Sequence, residues 1–258
     1  MKRNKALLML LICVSLVLMG CDRRLDIRDI ITDASEGEGD NKAASGNADK
    51  EDLELPDITE DTLKKQADED RHIMQNNPTF EDCVISVGST AYSLPFSYKR
   101  ISDEWTFNLS DYGFDENFML GPNERTTDTI ILSKENCNYN IVIGLYNPYD
   151  VKCTIEEAYV YSLTIDIRET GADYPIMRLP GELSWGATFS DIIAVAHPNQ
   201  GFDVDEETGE MTLYYVYDYE NYLILTVSET RGISAVTIRT YKEKRDIDKQ
   251  ENTEEQGN

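Results

Sequence analysis

The chain has 258 residues, 49 of them acidic and 24 basic, and a formal charge of -25 at pH 7. Such a surface repels nucleic acid and anionic lipid head groups, and it lacks the basic footprint of a nucleic-acid binder, so no nucleic-acid partner is expected. All fifteen tyrosines, both tryptophans and all seven phenylalanines fall between Phe80 and Tyr241. One folded unit is therefore expected there, large enough for a real core.

The first twenty residues carry Lys2, Arg3 and Lys5, then an apolar run from Ala6 to Met19 broken only by Ser15. A basic start followed by a short apolar stretch is the build of a secretory signal peptide. A spanning helix wants roughly 18 or more apolar residues, and this run stops short. Its end, Leu18-Met19-Gly20-Cys21, resembles a lipobox, with Met19 the less usual residue at its position. The resemblance implies cleavage of residues 1–20, lipidation of Cys21, and a location on the outer face of the cell membrane, where the membrane partner is met through the lipid alone. Two acyl chains anchor stably where a single myristoyl-type chain binds only marginally.

Residues 22–78 hold seventeen acidic and eight basic side chains and little aromatic content. Such a stretch buries too little apolar area to offset chain entropy, so 21–78 is read as the lipidated cysteine followed by a disordered acidic linker. Within it, Thr59 is placed to cap a short helix running to about Gln75, whose apolar stripe of Leu63, Ala67 and Met74 is thin.

From Phe80 onward the signals are mostly strand. Val84–Val87 and Thr90–Ser93 flank Gly88-Ser89 as a short hairpin. Ile141–Tyr146 ends at the turn cluster Asn147-Pro148-Tyr149-Asp150, and Thr154–Arg168 resumes the alternation. Met211–Tyr219, Tyr222–Ser228 and Ile233–Tyr241 read as a three-stranded antiparallel meander. Helix is expected from Ala187 to Pro198, with Thr188 and Asp191 as a capping box and Pro198 as the stop. A weaker helix is expected from Pro95 to about Asp103. Each helix follows a Leu-Pro pair, so the predicted fold is α+β, dominated by antiparallel sheet, in two similar helix-plus-sheet halves at 79–170 and 171–243. Residues 244–258 are charged and polar and read as a disordered tail.

Trp185-Gly186-Ala187-Thr188, Asp191-Ile192 and Pro198, followed by Tyr215-Val216-Tyr217 and a final strand, resemble the helix and aromatic-strand pattern of small outer-membrane-assembly and β-lactamase-inhibitor-like lipoprotein modules. The chain also resembles uncharacterised two-part lipoproteins of the clostridial type. The likeness covers residues 179–241, with His197 where the pattern has Gly. It implies a non-catalytic α+β module that binds protein at the cell envelope, and it carries over no active-site residue.

The chain carries few residues arranged for catalysis. The only histidines, His72 and His197, lie in the polar linker and at a helix end, and the chain has no nucleophile elbow, zincin motif or phosphate-cradling loop. No catalytic residue, metal site or cofactor is expected. Carboxylates such as Glu157 or Asp191 define the rival reading, a cell-wall-directed hydrolase. The acidic run Asp203, Asp205, Glu206, Glu207 and Glu210 departs from an EF-hand and reads as a solvated hairpin loop, with calcium left open. Of Cys83, Cys137 and Cys153, two could form a disulfide or all three could stay as thiols. Tyr215, Tyr217 and Tyr219 alternate onto one strand face, and with Trp185 they are the expected ligand-binding residues, gripping a partner protein or stacking on sugar.

Overall fold

A computed structural model describes Leu55 and residues 58–135, 137, 139–168 and 174–241. The expected signal peptide, Cys21, most of the expected acidic linker and the expected tail lie outside the described residues. The fold is α+β and dominated by antiparallel sheet, as the alternating sequence leads one to expect. Among the described residues, no helix is long and apolar enough to cross a membrane.

The first element is a helix where the sequence suggested linker. Residues Glu60–Gln75 form α1, with the side chain of Thr59 accepting from the Thr62 amide at 3.3 Å. Its apolar stripe is as thin as it reads, and a buried ion pair holds it instead. Asp70 meets Arg100, whose side chain is almost wholly buried, and the Arg100 Nη2 also donates to the Ala91 carbonyl at 2.9 Å. The Arg100 guanidinium lies over the rings of Tyr92 and Phe96, at 5.1 and 5.6 Å from their centroids. Burial raises the Asp70 carboxyl above the usual aspartate range, with Arg100 pulling the other way. The folded unit therefore begins before residue 79, and the linker boundary expected at 78 moves to the start of α1.

The hairpin of β1 (Val84–Val87) and β2 (Thr90–Ser93) forms in the expected register, and β9 (Met177–Arg178) adds to the other side of β1. Strand β3 (Phe96–Ser97) pairs with Val160 and Tyr159, which leaves α2 only Lys99–Ser102 of the helix expected from Pro95. Phe96, Tyr98 and Ile101 are nonetheless all buried. Strands β4 (Met119–Leu120) and β7 (Cys153–Thr154) form a small ladder of their own. Helix α3 (Phe189–Val195) carries the predicted capping box of Thr188 and Asp191.

The remaining strands are β5 (Ile130–Leu132), β6 (Ile141–Tyr146), β8 (Tyr159–Asp166), β10 (Phe202–Val204), β11 (Met211–Val216), β12 (Asn221–Ser228) and β13 (Gly232–Thr240). They join in the order β10-β11-β12-β13-β8-β6-β5, with β3 pairing β8 beside them. The predicted meander is β11-β12-β13. The expected division into two similar halves is not what the sheets display: β8 comes from the first half and β13 from the second, yet they are neighbours in one sheet. Likewise β9, from the second half, pairs β1 of the first. Hydrophobic side chains from both sheets make one core, in which Phe80 meets Tyr215 edge-on at 4.7 Å.

Gly232 fixes one end of the meander. It has φ +68°, and a Cβ there would sit 2.3 Å from the Gly186 backbone, so only glycine lets the chain before α3 cross this closely. The Ile233 amide then donates to the Ala187 carbonyl at 2.9 Å.

Asp70→Ala leaves the Arg100 guanidinium buried without its carboxylate and should cost about 3–5 kcal/mol in urea unfolding. The double substitution Asp70→Leu, Arg100→Met should cost clearly less, since both charges leave together. Equal losses in the two variants would show that α1 is held by something other than this pair.

Candidate functional site

The two faces of the large sheet differ in kind. Leu213, Tyr215, Leu223, Leu225, Val236, Ile238, Leu163, Ile165, Ile141 and Ile143 point inward and are all buried. The alternate residues point outward and are mostly half-buried. Strand registers set them in three rows. One runs Thr212, Thr226, Ala235, Asp166. The middle row runs Tyr214, Ile224, Thr237, Thr164, Val142, Ile131, across six strands and so about 25 Å at ~4.8 Å per strand. The third runs Val216, Tyr222, Arg239, Ser162, Gly144.

Charges gather along the first and third rows, toward the two ends of the strands, and leave the middle row neutral. At one end Arg239 meets Asp128 at 3.1 Å and Glu220 at 3.0 Å, and Arg125 reaches Glu220 at 3.0 Å. The Arg239 guanidinium lies between the rings of Tyr161 and Tyr222, at 5.2 and 5.7 Å. Tyr161 fits there because Gly144 lies opposite: a Cβ at Gly144 would be 2.5 Å from Asp128 Oδ1 and 2.7 Å from the Tyr161 ring. Burial raises both Tyr161 and Tyr222, which therefore stay neutral in their contact with the cation. At the other end Arg168 pairs with Asp166 and reaches Glu210 at 3.3 Å. The outer face is thus a neutral row of Tyr, Ile, Val and Thr between two rows that carry the ion pairs.

The residues singled out from sequence fall elsewhere. Tyr215 is 1% exposed and donates its hydroxyl to the Ala196 carbonyl at 3.0 Å, so it is a core residue and not a contact. Tyr217 is half-buried against the core, beyond the end of β11. Tyr219 is 55% exposed, in the turn before β12. Trp185 is half-buried, with its Nε1–H donating to the Pro175 carbonyl at 2.7 Å and Tyr174 packed edge-on. It lies beside Gly186, which touches Gly232 at the start of β13, whereas Tyr217 and Tyr219 occupy the turn at the opposite end of the meander. The six residues of β11 span about 20 Å, so the structure does not bring these four aromatics together.

The parity was readable in the sequence. Tyr215 is in phase with Leu213, and on β12 the unbroken apolar positions are Leu223, Leu225 and Val227, which marks the inward set. Tyr214 belongs to the outward one. A shift of one residue moves every side chain to the other face.

Other candidates are occupied in the structure. The Glu157 carboxylate accepts from the Thr154 amide and hydroxyl, both at 2.8 Å, and Asp191 accepts from the Thr188 amide and hydroxyl at 2.8 and 2.7 Å. Both are helix-capping groups. Asp205 Oδ1 accepts from the Glu207 and Thr208 amides at 2.8 and 3.0 Å, closing the acidic hairpin loop on itself. His72 is on the last turn of α1 and meets Asn76 at 2.9 Å. Cys83, Cys137 and Cys153 remain as thiols, the first and third buried. Comparison with protein-family models, with curated proteins and with solved structures returns no match.

Two measurements follow. Tyr215→Phe should lose about 0.5–1.5 kcal/mol, the net value of its buried hydrogen bond, while Tyr214→Ser should stay within about 0.5 kcal/mol of the parent. Equal losses would place both tyrosines in the core. The Thr188 hydrogen bonds hold the Asp191 carboxyl below the usual aspartate range. A depressed folded value means that the cap is intact above the unfolded aspartate pKa of about 3.9 and is lost as pH falls through the lower folded value. Amide protection at the start of α3, measured relative to the intrinsic exchange rate at each pH, should therefore hold at pH 5 and fall only below about pH 4, and Asp191→Asn should remove that acid-dependent step.

Proposed function

We propose that this protein is a lipoprotein held through Cys21 on the outer face of the cell membrane, and that its folded unit is a non-catalytic binding module that presents the outer face of its large sheet to a protein partner. The observation that carries the reading is the half-exposed middle row, Tyr214, Ile224, Thr237, Thr164, Val142 and Ile131, neutral across six strands and flanked by ion pairs along both of its sides. The aromatic and aliphatic side chains supply contact area, and the paired charges along the sides supply a wet polar rim. The likeness of residues 179–241 to protein-binding lipoprotein modules points the same way. The rival hydrolase loses its named residues, since Glu157 and Asp191 are engaged in helix caps.

The anchor and the face are tested separately. Cys21→Ala should move the protein from the membrane fraction to the soluble fraction and leave the far-ultraviolet circular dichroism unchanged; full retention in membranes rejects the anchor. A photo-crosslinking residue at Ile224, in cells of the source organism, should give a discrete adduct that Thr237→Lys removes, and the same residue at exposed Glu116 should give none. Equal adducts at both places reject the outer face as the contact.

A further inference from the structure

The two edges of the large sheet are finished differently. At the β5 edge, the Tyr112 hydroxyl accepts the Ile131 amide at 2.7 Å, and Ser133 exchanges two backbone hydrogen bonds with Thr106, both at 2.9 Å. The β10 edge has no such cover among the described residues. All three of its residues are exposed, and Phe202 and Val204 are large apolar side chains with more than half their surface open. Such an edge is normally blunted, because unpaired strand groups recruit another chain.

Which groups are open follows from the ladder. The Tyr214 amide donates to the Gly201 carbonyl at 3.1 Å and the Asp205 amide donates to the Glu210 carbonyl at 2.8 Å, so odd-numbered residues of this segment direct their backbone groups toward β11. In an antiparallel pair the direction alternates, and the N–H and C=O of Phe202 and Val204 therefore point away from the sheet. Their side chains lie on the inner side of the edge, in register with Leu213 and Met211, where Phe202 meets Phe189 at 5.9 Å. Asp203 lies on the outer side and accepts from the Tyr214 hydroxyl at 3.1 Å.

Charge decides the occupant. Residues 181–230 contain ten Asp and Glu and no Lys or Arg. Four of the ten, Asp203, Asp205, Glu206 and Glu207, are in or just after β10, and the ion pairing nearby reaches only Asp166 and Glu210 through Arg168. A second copy brought edge to edge would set these carboxylates against their own kind. A basic chain meets the opposite situation.

We propose that β10 is a β-augmentation site for an extended basic polypeptide segment with alternating apolar and cationic residues. Its backbone continues the sheet through the free groups of Phe202 and Val204. Its apolar side chains cover Phe202 and Val204 on the inner side, and its Lys or Arg side chains face Asp203 and the loop carboxylates on the outer side. Main-chain hydrogen bonds supply affinity and the alternate side chains supply selectivity. This deepens the binding reading above and rests on it.

The test uses the full chain in detergent and fluorescently labelled peptides of nine residues read by anisotropy. Alternating Val-Lys peptide should bind at least tenfold more tightly than alternating Val-Glu peptide and than a block peptide of the same Val and Lys content, and its affinity should fall as salt rises. Val204→Pro removes an amide that makes no bond within the sheet, a place where an edge strand tolerates proline. That variant should keep its circular dichroism and weaken binding at least tenfold. Methylating alternate backbone nitrogens of the peptide should do the same, and does not depend on how the protein variant folds. Equal binding of Val-Lys and Val-Glu peptides, or full binding of the methylated peptide, overturns the proposal. So does a dimer in sedimentation that Val204→Pro abolishes, because the occupant would then be a second copy. Failure of the unsubstituted protein to bind the Val-Lys peptide, with an intact Ile224 adduct, rejects this site alone and leaves the outer face standing.

Discussion

The pairing of β8 with β13 is the contact on which the rest of the architecture depends. Asp166, Ile165, Thr164, Leu163 and Ser162 lie opposite Ala235, Val236, Thr237, Ile238 and Arg239. Without that ladder the chain would hold a meander of β10–β13 and a separate ladder of β5, β6 and β8. With it, Leu163 and Ile165 join Val236 and Ile238 in one core, and Thr164 joins Thr237 in one outer row. The pairing links segments some seventy residues apart, a slow kind of contact to form, since the loop entropy must be overcome before the contact is rewarded.

Two arginines serve the fold by the same physics. Arg100 lies over Tyr92 and Phe96 and pairs with Asp70, and Arg239 lies between Tyr161 and Tyr222 and pairs with Asp128 and Glu220. A planar, weakly hydrated guanidinium lies on aromatic faces while its edge stays on carboxylates, and an ammonium does not do both. One pair ties α1 to the small sheet. The other closes one end of the outer face and keeps the central row free of charge.

The acidic balance has a different meaning in different places. Over most of the chain it suits solubility. Around β10 it coincides with open backbone groups and two exposed apolar side chains. The same carboxylates would oppose a second copy at this edge and favour the proposed cationic strand, since complementary charge speeds encounter and like charge suppresses the wrong partner.

The sequence by itself determined the elements whose cause is local. Alternation over 211–241 specified the meander, Gly88 the first hairpin, and the Thr188–Asp191 capping box with Pro198 the third helix, because each depends on side chains within a few residues of one another. Thr59 marked the start of α1, but its retention in the fold rests on Asp70 meeting Arg100, thirty residues away, which no local pattern announces. The tertiary structure alone decided that the two expected halves share one sheet, since strand neighbours are chosen by burial across the whole chain. It also decided how deep the tyrosines lie: alternation puts Tyr215 in the inward set with Leu213, and only its packing against Phe80, from before the first hairpin, buries it completely.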